Sequence, residues 1–312
     1  MVDAQGEPLV TARDRLLPAE LPRADRLTEL TTAVLEQVLF RGGRPIAPDS
    51  KIPVFLALPE PCQHTSEHEL GRVCTEVSAR LLPRQPVSIV PFAAGHAAGG
   101  RAFQQALAQL PASRDSVGVV AGVDSHLDAD TLDAMEADER LKTPVTRYGF
   151  PPGEAAAAAL LAPRELAANL GRRLADVLSA SSATEPQSQS LEDPVVTGQG
   201  LAEAWRGALA QLPVNGPRVG MTYVDANGER YRDREITYTL LRAPISAFDE
   251  LENLRTAVDA CGDVGAATTL LHTIVAILGR PEGTPSSTHA LLSASSFNGL
   301  RSAVLLHLHK AR

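Results

Sequence analysis

The chain has 312 residues, with 29 Lys and Arg against 37 Asp and Glu. Its formal charge of −8 argues against nucleic acid or an anionic membrane surface as the main partner. Hydrophobic residues reach 44 % but aromatics only 4 %, so Ala, Leu and Val must fill the core of one large domain or two fused halves. Cys62, Cys74 and Cys261 form no CxxC and are odd in number, which fits a reducing compartment. The N-terminus lacks a basic and apolar leader, and no apolar run reaches membrane-spanning length. A cytoplasmic protein is expected.

Residues 1–21 are polar, Pro-bearing and without a strand pattern. Arg26–Leu39 reads as an amphipathic helix, with Leu27, Leu30, Val34, Leu35 and Val38 on one face. Ile52–Leu58 is a strand closed by Pro59-Glu60-Pro61, and Glu67–Leu82 is a second helix. Val87–Val90 is a buried strand. It runs through a Gly/Ala elbow, Phe92–Gly100, into a helix reaching Leu110, with Phe103, Leu107 and Leu110 on one face. Ser116–Gly122 is a strand and Asp128–Met135 a short helix. The alanine run in Gly153–Leu161 favours a helix by propensity, but its context favours a buried strand.

Leu170–Leu178 reads as a strand, although its composition also allows a helix, and Ala180–Asp193 as a surface loop. Gly200–Leu212 is a helix carrying Leu201, Trp205, Leu209 and Leu212, and Arg218–Val224 is a strand entering the turn Ala226-Asn227-Gly228. Ala243–Val258 is expected to be mostly helical and Asp263–Leu278 fully so. His289–Ser295 and Ser302–His309 close as a hairpin around Phe297-Asn298-Gly299. Alternating strands and helices predict a layered α/β fold. A weak internal repeat relates Gly95-His96-Ala97-Ala98-Gly99 to Gly262-Asp263-Val264-Gly265-Ala266-Ala267, each followed by a helix and a strand. Two halves are expected, 1–162 and 163–312 with a loop at about 180–196, forming one compact unit whose elbows face one cleft.

A strand-to-helix elbow presents a side chain among free N–H groups at the positive end of a helix dipole, where nucleophiles are often mounted. The presented residue here is His96, with no Ser or Cys beside it. Tyr148-Gly149-Phe150-Pro151-Pro152-Gly153-Glu154-Ala155-Ala156-Ala157 resembles the GFxxGEGAA signature of β-ketoacyl synthases in the thiolase superfamily. Ala121–Ser125 resembles the segment that precedes that signature, Gly262–Thr268 the GHxxGAAG segment, and Ser295–Gly299 the terminal GFGG turn. The matches keep the family's order over about residues 87–308.

The resemblance implies a thiolase-like αβαβα fold from two pseudo-repeated halves, without a cofactor or metal. It also implies a homodimer or a heterodimer with an active synthase. The cleft would take acyl-CoA or acyl carrier protein, with Gly95, Phe297, Asn298 and Gly299 on the substrate side. In active members a Cys on the first elbow takes the acyl group, and two His, or a His and an Asn, assist.

This chain departs from that pattern. His96 stands at the Cys position, Asp263 at one His position, and the segment carrying the other His is not found between Val224 and Asp263. A carboxylate at 263 would repel an oxyanion, and Asp there suits a helix N-cap. The family's first strand is not legible in residues 1–21, so the chain starts late or its first sheet is built differently, and residues 1–20 should pack poorly. Cys62, His64 and His68 lack a fourth ligand nearby and are read as no metal site. His307 and His309 suggest a surface stripe. The leading expectation is an acyl-thioester-binding protein without condensing activity. The alternatives are an acyltransferase or thioesterase using His96 or Cys261, and a purely structural dimer.

Overall fold

The computed structural model describes residues 6–47, 49–62, 65–110, 117–186, 196–213, 216–279 and 288–309. In chain order come α1 (Arg23–Leu39), a small hairpin of β1 (Phe40–Arg41) and β2 (Arg44–Pro45), β3 (Ile52–Leu58), α2 (Glu67–Leu81), β4 (Val87–Ala93), α3 (Ala98–Gln109) and β5 (Gly118–Ser125). Then follow α4 (Ala129–Ala137), β6 (Glu154–Leu161), α5 (Arg164–Leu170), β7 (Ala175–Thr184), α6 (Gln199–Leu209), β8 (Val219–Tyr223), α7 (Arg230–Leu240), β9 (Leu254–Arg255), α8 (Val258–Cys261), α9 (Thr268–Leu278), β10 (His289–Ser295) and β11 (Leu300–Leu308). The first main sheet is ordered β4-β3-β5-β6 and the second β9-β8-β10-β11-β7. In the first sheet β4, β3 and β5 run parallel and β6 is antiparallel to β5; in the second β9, β8 and β10 run parallel, β11 is antiparallel to β10 and β7 antiparallel to β11.

Three packed cores make these sheets into five layers. Leu27, Leu30 and Leu35 of α1 and Leu70, Val73 and Val77 of α2 cover one face of the first sheet. Phe103 of α3 and Leu270 of α9 lie between the sheets, against Phe55, Val120, Leu292 and Val304. Trp205 of α6 and Ile236 of α7 cover the outer face of the second sheet. The order is helix, sheet, helix, sheet, helix, as the resemblance implied. Each fully buried Phe or Leu in these layers contributes about 1.5–3 kcal/mol of transfer free energy. Close approach of the two halves depends on small residues. A Cβ at Gly122 of β5 would stand 2.7 Å from the carbonyl oxygen of Ala266, backbone of the opposite half.

Local chemistry explains most boundaries. Ser66 and Glu69 form a reciprocal capping box that starts α2, and the Asp128 side chain accepts the Thr131 N–H to start α4. The alanine run is the strand β6, because pairing along the whole of β5 and packing under α1 override helix propensity. Its leading residue Glu154 is buried in an ion pair with Arg26 at 3.1 Å and accepts the Ser125 hydroxyl at 2.9 Å.

Several expected elements are corrected. Leu170–Leu178 is not one strand: α5 ends at Leu170 and β7 starts at Ala175, running to Thr184 through part of the expected loop. The rest of that loop, 187–195, lies outside the described residues. Ala243–Val258 is not a helix but a 3-10 turn at Ile245–Ala247, the short strand β9 and the start of α8. The helix between β8 and β9 lies earlier, as α7, whose buried face is Arg232, Glu235, Ile236 and Thr239. A largely polar inward face leaves no apolar period to read. On α3, Leu107 is 42 % exposed, and the inward face is built by Ala102, Phe103 and Ala106 instead.

Between residues 6 and 22 the described backbone holds only isolated bridges, such as Ala12 with Gly153, and Val10 and Leu16 are exposed. Consequently β6 has no strand on its outer edge among the described residues, whereas β7 fills the matching place beside β11. No helix among the described residues is long and apolar enough to cross a membrane.

Candidate functional site

Both elbows end their preceding segment in a 3-10 turn, Gly95–Ala97 before α3 and Gly265–Ala267 before α9. Each turn starts at a glycine with positive φ, +64° at Gly95 and +48° at Gly265, a conformation that a side chain would strain. The two turns pack together, which brings His96 and Asp263 into contact. His96 Nε2 lies 2.8 Å from Asp263 Oδ1 and 3.0 Å from Oδ2. Both side chains are nearly out of water.

Asp263 serves as more than a helix cap. It accepts the Gly265 N–H at 2.8 Å, as a cap would, but also the Asn227 side-chain amide at 2.6 Å, and His126 Nε2 lies 3.4 Å away. Burial alone would raise its carboxyl pKa. The charge of His96 and the hydrogen bonds from His126 and His96 outweigh burial and hold it well below the usual carboxylate range.

The other side of His96 faces Arg232, whose Nη2 is 3.4 Å from both ring nitrogens. Arg232 is fully buried. It donates to Asp225, to the Ser295 carbonyl at 2.9 Å and to Glu229 at 3.2 Å. Glu229 in turn takes Arg140 Nε at 2.8 Å and the Asn227 amide at 2.9 Å. His96 thus sits between the Asp263 carboxylate on its Nε2 side and a guanidinium equally near both ring nitrogens. By contrast, Nδ1 of His126 is buried without a hydrogen-bond partner.

The terminal turn is occupied as well. The Phe297 N–H donates to Glu60 Oε1 at 2.8 Å and the Asn298 N–H to Glu60 Oε2 at 3.1 Å. Burial raises the Glu60 carboxyl pKa, and the nearby His96 charge only partly offsets this. Glu60 fits because Gly95 has no side chain: a Cβ there would stand 2.8 Å from Oε1. The Ser296 hydroxyl accepts the Ala97 N–H at 2.8 Å and donates to the Ala94 carbonyl, tying the turn to the first elbow.

A cavity of about 740 Å³ opens over these groups. Gly95, His96 and Phe297 line it together with Glu60, Cys62 and His126. Asn298 and Gly299 are not among its lining residues, nor is Cys261, which is half-buried at the end of α8. Glu60, His126, Asn227, Arg140 and Arg232 escaped the sequence reading. Only His126, directly after the matched segment ending at Ser125, and Glu60 and Asn227, each in a recognised turn, carried any local signal.

No protein-family profile matches the chain, and no curated protein matches it. Solved structures do. The ishigamide ketosynthase/chain length factor superposes with a TM-score of 0.71 at 15 % identity, over 93 % of this chain and 84 % of that one. A type II PKS acyl-carrier protein in complex with its ketosynthase bound to the hexaketide (AntDE:AntF) gives 0.69 at 14 %, over 96 % and 88 %. A β-ketoacyl synthase from Burkholderia phymatum gives 0.64 at 15 %, over 92 % and 81 %. The chain has the ketosynthase-type, thiolase-like fold.

Proposed function

We propose that this protein is a ketosynthase-like subunit that binds an acyl thioester, on coenzyme A or on an acyl carrier protein, and does not condense it. One observation carries the reading. At the elbow position where active members of the resembled family place a thiol stands His96, whose Nε2 is paired with the buried Asp263 carboxylate and whose ring is faced by the Arg232 guanidinium, 3.4 Å from both nitrogens. A buried imidazole tied to a carboxylate and facing a guanidinium lacks the exposed, activated lone pair that attack on a thioester requires. The neighbouring turn adds support. Its two N–H donors face a carboxylate rather than open space, so they do not stand ready for a developing oxyanion. The cavity volume lies within the range of small-molecule sites.

A homodimer, or a heterodimer with an active synthase, belongs to the same proposal. The outer edge of β4, leading directly into the elbow, has no strand partner among the described residues. Likeness to a ketosynthase/chain length factor makes pairing with a synthase the natural assembly to test.

Radiolabelled acyl-CoA and acyl carrier protein, followed by intact mass, test the reading. Saturable binding without a mass adduct and without thiol release is expected. A covalent adduct lost in His96→Ala or Cys261→Ser overturns it. A second reading, thioester hydrolysis, rests on His126, which pairs with Asp263 through Nε2 and keeps Nδ1 unpartnered beside the cavity. Steady release of free coenzyme A, abolished in His126→Ala but unchanged in Cys261→Ser, would establish it in place of the first.

A further inference from the structure

A second cluster of chemistry-bearing side chains lies at the opposite end of the second sheet. β11 leaves the terminal turn at Leu300 and runs seven residues to His307, roughly 23 Å at strand rise. There, His307 stands directly across from Asp176 of β7 on one side and from His289 of β10 on the other. His309 follows two residues on, the same face by strand alternation, and its N–H is fixed by the Leu174 carbonyl at 2.9 Å. The result is a His-x-His pair on one strand with a carboxylate from the next.

We propose that Asp176, His307 and His309 bind a divalent transition-metal ion of the zinc class. One imidazole nitrogen from each histidine and a carboxylate oxygen lie within 4.8 Å of one another. His309 Nε2 is 3.2 Å from Asp176 Oδ1, and His307 Nδ1 is 3.7 Å from Oδ2. Ligand atoms placed tetrahedrally at zinc bond lengths of about 2.0–2.1 Å are about 3.3 Å apart, so the groups need only small rotations to converge. Two imidazoles and one carboxylate form a donor set that suits zinc, with a position left for water. His309 Nε2 is shielded from solvent, and its near neighbour is the Asp176 carboxylate. The rings also hold one another in place. His289 stacks on His307 with centroids 5.0 Å apart, and His307 meets His309 edge-on at 4.9 Å.

Without metal, cations of the protein neutralise the carboxylate. Arg173 grips both oxygens of Asp176, and Arg164 Nη2 lies 3.4 Å away. Both arginine side chains reach solvent, so either can swing out when a divalent ion takes its place. The arginines therefore set the affinity by competition rather than blocking the site.

The test uses the untagged full chain, stripped with chelator and titrated with Co²⁺, followed by displacement with Zn²⁺. One ion per chain is expected, with a visible absorption band of nitrogen–oxygen ligation. His309→Ala and Asp176→Asn should each weaken Zn²⁺ binding by about tenfold or more, the scale on which even a supporting partner of a ligand matters. Arg173→Ala should tighten it, an effect that damaged folding would not produce. Non-stoichiometric binding, affinity indifferent to all three substitutions, or a thiolate charge-transfer band from Cys62, Cys74 or Cys261 would overturn the proposal.

Discussion

His96 Nε2 and Asp263 Oδ1 lie 2.8 Å apart although 167 residues separate them in the chain. His96 lies within the 3-10 turn before α3 and Asp263 two residues ahead of the 3-10 turn before α9, so the contact joins the two halves at their elbows. His96 and Asp263 form part of a buried ionic network with Asn227, Glu229 and Arg232.

That network should dominate acid sensitivity. The Asp263 carboxyl is held well below its ordinary value in the folded state. Its stabilising contribution is therefore present above the unfolded pKa of about 3.9 and lost as pH falls through the lower folded value. Urea denaturation from pH 7 to pH 2 should show a steep fall below about pH 4 in the wild type, flattened in Asp263→Asn. Asp263→Ala should cost about 3–5 kcal/mol at pH 7, as expected when one partner of a buried charge network is removed. A loss under about 1 kcal/mol would show that the contact does not join the halves energetically.

Glu60 occupies the N–H donors of Phe297 and Asn298. Glu60→Ala frees both. If the cavity takes an acyl thioester there, binding of acyl-CoA, measured by calorimetry, should tighten about fivefold, the equivalent of one recovered hydrogen bond of about 1 kcal/mol. Unchanged affinity would place the ligand elsewhere.

Thiol reactivity offers a check on the cavity. Burial pushes the Cys74 thiol up to about 11, while Cys62 is exposed and lines the cavity. Iodoacetamide at pH 8 should modify Cys62 well before Cys74, because only the thiolate reacts. Saturating acyl-CoA should slow the Cys62 reaction, read by peptide mass spectrometry. Equal rates with and without ligand would count against the cavity as the acyl site.

The contact between halves also depends on Gly122, whose missing side chain leaves room for the Ala266 carbonyl. Gly122→Ala meets rigid backbone rather than a movable side chain. A loss of about 1–3 kcal/mol is expected from overpacking, measurable as a lower urea midpoint at unchanged m-value. A stability-neutral substitution would mean that the halves can separate at no cost.

Composition and local pattern determined a large share of this protein. The elbow from β4 into α3, the hairpin of β10 and β11, and the helices α1, α2 and α6 follow from apolar period, glycine placement and caps, because those signals act within a few residues. The elbow pattern singled out His96, and the ordered motif resemblance, from Ala121 to Gly299, supplied the five-layer architecture and singled out Asp263. Tertiary structure alone decided what those residues touch. Helix α7 was hidden because its inward face is charged, and Arg232 on that face became legible only once Asp225, Glu229 and Ser295 closed around it. Glu60, His126 and Arg140 come from separate segments and meet at one cavity through sheet pairing and the packing of two halves. Sequence spacing carries no record of such meetings, because the free energy that holds them comes from desolvated charge pairs formed only when distant elements converge.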